Sequence, residues 1–217
     1  MIYPDRGAAG RALGGMLEHL RAADPLLLGL PRGGVPVAVA VHDVIGGELD
    51  ILLVRKLGVP WQPELAMGAI GEDGVRVLNH DVMRHTGVTP EQLAEIEDME
   101  RAELERRRLV LRAEPPIPLK DRTVVIVDDG MATGATVAVG CEIAYLHEPR
   151  RVIVAVPVSS AEALHRVRSF CDQVVCPLVP RFLGGVGGAY RDFHQLTDAE
   201  VVELLHPTEP PDVSEPR

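Results

Sequence analysis

The sequence predicts an α/β protein: a mostly parallel central sheet flanked by helices, with a β-hairpin insertion and a small, loop-rich C-terminal segment. Three observations predict it. From Leu26 to Cys176, short Val-, Ile- and Leu-rich runs alternate with segments of helical period. The run Thr123–Val127 ends in adjacent carboxylates, Asp128 and Asp129, and a short loop of small and hydroxylated residues separates them from a helix pattern starting at Val137. An earlier run, Leu26–Leu30, is likewise followed by a tight loop, Pro31-Arg32-Gly33-Gly34, and a helix pattern to Ile45.

In chain order, residues 7–22 carry a weak helix pattern that Asp24-Pro25 ends. After the strand, loop and helix just described, Leu49–Val54 reads as a second strand delivering Arg55 and Lys56 at its C-terminal end. Residues 57–63 contain two prolines and a glycine and read as a mobile loop; Leu65–Ile70 and Val75–Leu78 then flank Gly71–Gly74 as a hairpin. Pro90–Ala113 is a long charged helix, acidic early and basic late, with favourable pairs Glu97/Arg101 and Glu103/Arg107 on a solvated face. Glu114–Pro118 links it to the strand at Thr123. Downstream come a helix from about Ala135 to Leu146, a strand at Val152–Val156, a helix at Ala161–Val167 and a strand at Gln173–Cys176. Pro177–Tyr190 is loop-like, Thr197 starts a short helix with Glu200 as its N3 partner, and residues 207–217 are expected to be a disordered tail behind a single domain spanning 1–206.

Composition bounds the function. A 217-residue chain with a formal net charge of −10 is unsuited to general nucleic-acid or anionic-membrane binding, which needs clustered positive charge. Lysine occurs only at Lys56 and Lys120, which draws attention to Lys56 beside a candidate anion site. Cys141, Cys171 and Cys176 suit neither a disulfide framework nor a metal-ligand spacing and read as reduced, buried thiols. His80 and His85 lack a third ligand, so no protein-only metal site is expected. With no apolar leader or run near the ~20 residues needed to span a bilayer, a cytoplasmic location is expected.

The residue types around Asp128 state a chemistry. Thr133, Gly134, Ala135 and Thr136 are small enough to leave the first N–H groups of the following helix open to a phosphate. Two carboxylates at a strand end repel that phosphate but suit sugar hydroxyls or a divalent cation. The implied ligand carries a phosphate beside a hydroxyl-rich or metal-bound part.

Over Val125–Thr136 the sequence, Val-Ile-Val-Asp-Asp-Gly-Met-Ala-Thr-Gly-Ala-Thr, resembles the phosphoribosyl-pyrophosphate (PRPP) motif of type I phosphoribosyltransferases. The resemblance implies a Rossmann-type core with a lid insertion and a C-terminal hood, roughly 177–206. It implies that Asp128 and Asp129 bind the ribose hydroxyls and that Met131, Ala132, Thr133, Gly134, Ala135 and Thr136 wrap the 5′-phosphate. Pro31, Arg32, Gly33 and Gly34 would form the pyrophosphate loop, with Arg55 and Lys56 as further cations; Asp128, Asp129, Arg32 and Lys56 would carry catalysis. The lid would span about Leu57–Asp73 with Trp61 a candidate to cover the base, and Phe182 and Tyr190 are candidates to stack on it. The implied reaction displaces pyrophosphate from PRPP by a nitrogenous acceptor, a nucleobase being one candidate, with Mg²⁺ held through PRPP near the acid pair. PRPP and a small-molecule acceptor are the expected partners, a homodimer is a compatible assembly, and neither nucleic acid nor membrane is expected.

Two departures from the family pattern stand out. Gly130 replaces a branched apolar residue, which is expected to loosen the turn, and Ala132 occupies the position of an aspartate in 6-oxopurine-specific members, leaving the base open. A PRPP- or nucleotide-sensing protein without catalysis is the nearest rival reading. A phosphatase or other nucleotide-binding protein lacks a recognisable nucleophile or P-loop lysine.

Overall fold

The computed structural model describes residues 2–206; the expected tail at 207–217 lies outside the described residues. The strands are β1 (Leu26–Gly29), β2 (Glu48–Ile51), β3 (Val54–Val59), β4 (Gln62–Gly71), β5 (Arg76–Leu78), β6 (Thr123–Val127), β7 (Arg151–Ala155) and β8 (Gln173–Val175). The α-helices are α1 (Arg6–Leu17), α2 (Gly34–Ile45), α3 (His80–Thr86), α4 (Pro90–Leu111), α5 (Ala135–Tyr145), α6 (Ala161–Val167) and α7 (Asp198–Leu205).

Five strands form a wholly parallel sheet in the order β2-β1-β6-β7-β8. Parallel sheets need cover on both faces, and the period-two alternation of the strands supplies two apolar surfaces. Leu27, Val125, Val127 and Ile153 meet Leu13, Leu17, Val37, Val41 and Ile45 of α1 and α2. Leu26, Leu28, Val124, Ile126, Val152 and Val154 face Val137, Val139, Cys141 and Ile143 of α5. The α/β architecture expected from the alternation is the one observed. Chain order runs from β1 outward to β2 and later from β6 outward to β7, so the sheet reverses direction between β1 and β6. That switch point opens a crevice at the carboxyl ends of the strands. The pairing sets Gly29 opposite Val127, which brings the loops after β1 and β6 to one level.

The second sheet, β3-β4-β5, is antiparallel and packs through Leu57, Val59, Met67 and Ile70 onto Leu93, Leu104 and Leu111 of α4. Here the structure departs from the sequence reading. The apolar run Leu49–Val54 is not one strand: β2 ends at Ile51, and Val54 opens β3 in the other sheet. A continuous buried run carries no periodicity that could mark such a boundary. Residues 57–63 are a hairpin with its turn at Pro60-Trp61, in place of an irregular loop. The prolines are accommodated because Pro60 is at the turn and Pro63 lies in the stretch skipped as the register shifts from Val59–Gln62 to Gly58–Ala66, so no ladder N–H is needed at either position.

Helix α4 is set at its start by a capping box, Thr89 with Gln92. The expected pairs Glu97/Arg101 and Glu103/Arg107 form at 2.6 and 2.9 Å. Its charges are not all solvated, however. The side chain of Arg112, at its C-cap, is 5% exposed and binds Asp50 and Glu72, each at 2.7 Å, clamping the end of α4 to both sheets. Among the thiols, Cys141 is buried while Cys171 and Cys176 are only partly so, and all three are free.

Candidate functional site

The crevice is built from three backbone turns. The first follows β1. Leu30 N–H extends the ladder to Val127 O (2.9 Å), Gly34 N–H returns to Leu30 O (2.9 Å), and the Pro31–Arg32 peptide is cis. This tight loop lies directly on the acid pair. A Cβ on Gly33 would stand 2.0 Å from Asp129 Oδ2, and one on Gly34 would stand 2.4 Å from Val127 O, so only glycine permits the approach.

The second turn holds the acids themselves. Asp129 N–H donates to Asp128 Oδ1 at 2.9 Å. Enclosure pushes the Asp128 carboxyl well above the ordinary carboxylate range, and the neighbouring Asp129 charge adds to it. Asp129 is also raised by its enclosure, against the opposing pull of Arg6. Arg6, at the start of α1, donates from Nε to Asp129 Oδ2 at 2.9 Å and from Nη1 to His194 O at 3.0 Å, with its guanidinium 3.9 Å from the Phe193 ring centroid.

The third turn, residues 131–134, leads into α5. Gly134 takes φ +74° there, a conformation that favours glycine, and a Cβ would meet Val167 at 2.8 Å. The N–H groups of Ala132, Thr133 and Gly134 have no partner among the described residues, whereas Ala135 N–H reaches Thr133 Oγ1 at 3.4 Å. Unpaired amides at a helix start are anion ligands. The crevice thus joins an amide-lined turn, a carboxylate pair and a glycine loop that can approach a ligand closely.

A family model described as the phosphoribosyl transferase domain matches residues 6–191. The chain belongs to that family. It is 47% identical over 205 residues to proteins of Mycobacterium tuberculosis strains CDC 1551 and H37Rv, both provisionally named phosphoribosyl transferase. The match takes in 94% of this chain but 46% of theirs, so the chain spans about half the length of the curated relatives it matches. The crystal structure of TT1426 from Thermus thermophilus superposes with a TM-score of 0.87 at 42% identity, covering 94% of this chain and 98% of that one.

Against this phosphoribosyl transferase fold the expected site residues separate. Gly33 and Gly34, between Arg32 and α2, lie against Asp129 and Asp128, and the turn of Ala132–Thr136 follows the acids along the chain. Met131, expected to wrap the phosphate, instead points into the core, 2% exposed, with its N–H bonded to Val158 O at 2.9 Å. Arg32 is a third exposed and has Asp198 of α7 at 3.8 Å. Arg55 and Lys56, taken together from the sequence, point to opposite faces of β3. Arg55 shares the face of Leu57 and is held by Glu100 of α4 at 2.5 Å, whereas Lys56 shares the face of Val54, which packs toward α5. Trp61 is exposed at the hairpin turn and Phe182 is exposed in the hood loop.

Tyr190 is not a stacking platform in this arrangement. It is buried, its ring lies 5.0 Å from Phe193 and 5.8 Å from Tyr3, and its hydroxyl donates to Asp129 O at 2.5 Å. Gly130 does not loosen its turn either. The space a side chain would take is filled by Val158 and Val186, whose atoms would lie 2.7 and 2.6 Å from a Cβ placed on Gly130, so the hood packs onto the acid turn. The N-terminus packs along the same segment. Tyr3 N–H bonds Ala189 O, Arg191 N–H bonds Tyr3 O and Asp192 N–H bonds Pro4 O, zipping residues 3–4 to the hood.

Arg6 is the site residue that sequence reasoning missed. A sequence separation of 123 from Asp129 leaves no local pattern, and the only available signal was an arginine one residue after a helix-capping Asp5.

Proposed function

We propose that this phosphoribosyl transferase domain transfers the 5-phosphoribosyl group of PRPP to a nitrogenous acceptor, releasing pyrophosphate in a Mg²⁺-dependent reaction. One observation carries the reading: an amide-lined turn and a glycine loop flank a single carboxylate pair in the same crevice. A ligand with phosphates on opposite sides of a ribose matches that order.

In this reading the amides of Ala132–Gly134, with the start of α5, hold the 5′-phosphate. Asp128 and Asp129 accept hydrogen bonds from the ribose hydroxyls and lie beside a ring that gains positive charge as pyrophosphate departs. The loop Pro31–Gly34 receives the pyrophosphate, with Arg32 and Lys56 as its cations. The Asp198 contact of Arg32, at 3.8 Å and partly exposed, is weak enough for a polyanion to displace. The β3–β4 hairpin bearing Trp61 is the lid that excludes water from the sugar. No side-chain nucleophile is needed.

The donor set fits Mg²⁺ as a substrate-borne ion. Two hard carboxylates meet at the crevice, and no group of three His, Cys, Asp or Glu able to hold a metal occurs among the described residues. Asp128 and Asp129 would flank the ion, PRPP oxygens would supply most of its ligands, and the ion would neutralise charge on the leaving pyrophosphate.

A PRPP-sensing protein is the second reading, favoured by the Arg6–Asp129 pair, which engages one ribose acid from within the chain. Calorimetry with Mg-PRPP, followed by product analysis across a panel of nitrogenous acceptors, tests both. Binding with turnover supports the transferase, tight binding without product supports the sensor, and no binding at millimolar Mg-PRPP sinks both. In the Asp128→Asn/Asp129→Asn variant, Mg-PRPP binding and turnover are expected to vanish with the fold intact.

A further inference from the structure

The phosphate turn is unusually exposed for a precise anion site: Ala132 and Thr133 are both at the surface, with small side chains that no core contact holds. Its shape is set from outside by the segment following β7. Ser160 N–H donates to Met131 O at 3.0 Å, Ser160 Oγ donates to Ala132 O at 2.8 Å, and Arg166 Nη1 donates to Thr133 O at 2.7 Å. Three successive carbonyls are therefore pinned toward α6. In a trans peptide the C=O and the following N–H point in opposite directions, so the pinning turns the N–H groups of Ala132, Thr133 and Gly134 away from α6, to the open side of the turn. Met131 N–H, bonded to Val158 O at 2.9 Å, anchors the turn at its entry, and Gly134 rests against Ala163 and Val167 at its exit.

We infer that Ser160 and Arg166 are positioning residues of the phosphate turn: by holding its carbonyls outward they aim its amides at the ligand phosphate. The inference rests on reading this turn as the 5′-phosphate site. Arg166 acts through Thr133 O and not as a charge on the ligand. Its guanidinium is also 3.5 Å from Glu162, which offsets its charge at the surface. Ser160 has two tasks, since Oγ also caps α6 by accepting from Ala163 N–H at 3.0 Å.

The test compares ribose 5-phosphate with pyrophosphate, each titrated calorimetrically into the full chain and into Arg166→Met, Arg166→Lys and Ser160→Ala, with thermal melts as a folding control. Expected are a loss of about tenfold in ribose 5-phosphate affinity for Arg166→Met, a smaller loss for Ser160→Ala and substantial recovery in Arg166→Lys, which keeps one donor. Pyrophosphate affinity should stay within about twofold throughout, because its loop lies on β1. Equal losses for both ligands, or unchanged ribose 5-phosphate binding in Arg166→Met and Ser160→Ala, would overturn the assignment. So would a loss confined to the Arg166 variants, which would make Arg166 a direct charge contact. Failure of the unaltered chain to bind ribose 5-phosphate would instead overturn the phosphate-site reading beneath it.

Discussion

Asp128 and Asp129 are costly residues for this fold, and that cost can be measured. Burial raises the Asp128 carboxyl well above its ordinary value, so between the unfolded value, about 4, and the raised folded value the native state binds more protons than the unfolded state. Stability attributable to this group is therefore largest at low pH and is lost as pH rises through the folded value. Asp128→Asn should raise the melting temperature at pH 7 to 8, and the gain should shrink toward zero near pH 4 in melts across that range. Arg6 acts in the other direction. With side chains only 9% and 13% exposed, the Arg6–Asp129 pair is enclosed, and truncating one partner strands the other. Arg6→Met should lower unfolding free energy by about 3 kcal/mol in urea titrations. Adding Asp129→Asn should recover part of that loss, since the stranded charge is then gone.

Among the elements, the loops after β1 and β6 act as one unit because each excludes side-chain volume from the other. Gly33 has an ordinary helical backbone, φ −62° and ψ −32°, so only space requires glycine there. Gly33→Ala should force the Asp129 carboxylate aside, cost about 1–3 kcal/mol by overpacking, and weaken Mg-PRPP binding beyond what that destabilisation explains. Melts paired with calorimetry check both effects. The β3–β4 hairpin shows where element reading fails. Pro60, Pro63 and Gly58 signal a loop by composition, yet the antiparallel partner strand tolerates them at a turn and a register shift. Helix α3 also escapes a reading by period; it is seven residues long, and its Asn79 cap, which accepts Val82 N–H at 3.0 Å, is its main local signal.

For the molecule as a whole, the parallel sheet and the antiparallel sheet are tied by a buried charge cluster and by apolar packing. Arg112 binds Asp50 Oδ1, Glu72 Oε1 and Oε2, and Ile51 O, and Asp50 Oδ2 in turn accepts from Ile117 N–H at 2.9 Å. Arg112→Met would leave two enclosed carboxylates without this shared cation. A loss of about 3–5 kcal/mol is expected in the urea midpoint analysis, with the unfolding transition losing cooperativity if the two sheets then separate. This cluster links the β3–β4 hairpin to the core at its base, away from the exposed Trp61 tip.

By itself the sequence determined the alternation of strands and helices, the acid pair at a strand end and the turn of small residues that opens a helix after it, because each is written in adjacent residues whose local physics does not depend on the rest of the chain. The PRPP motif was legible for the same reason. Only the tertiary structure decided which distant groups complete the crevice. Arg6 reaches Asp129, Tyr190 turns from a candidate base platform into a donor to Asp129 O, Arg55 goes to Glu100 while Lys56 leaves the opposite face of β3, and Ser160 and Arg166 hold the carbonyls of Ala132 and Thr133. Contacts of this kind depend on the direction in which a side chain leaves its strand or helix once two elements pack. That direction follows from strand pairing and helix docking, which no short stretch of residues encodes.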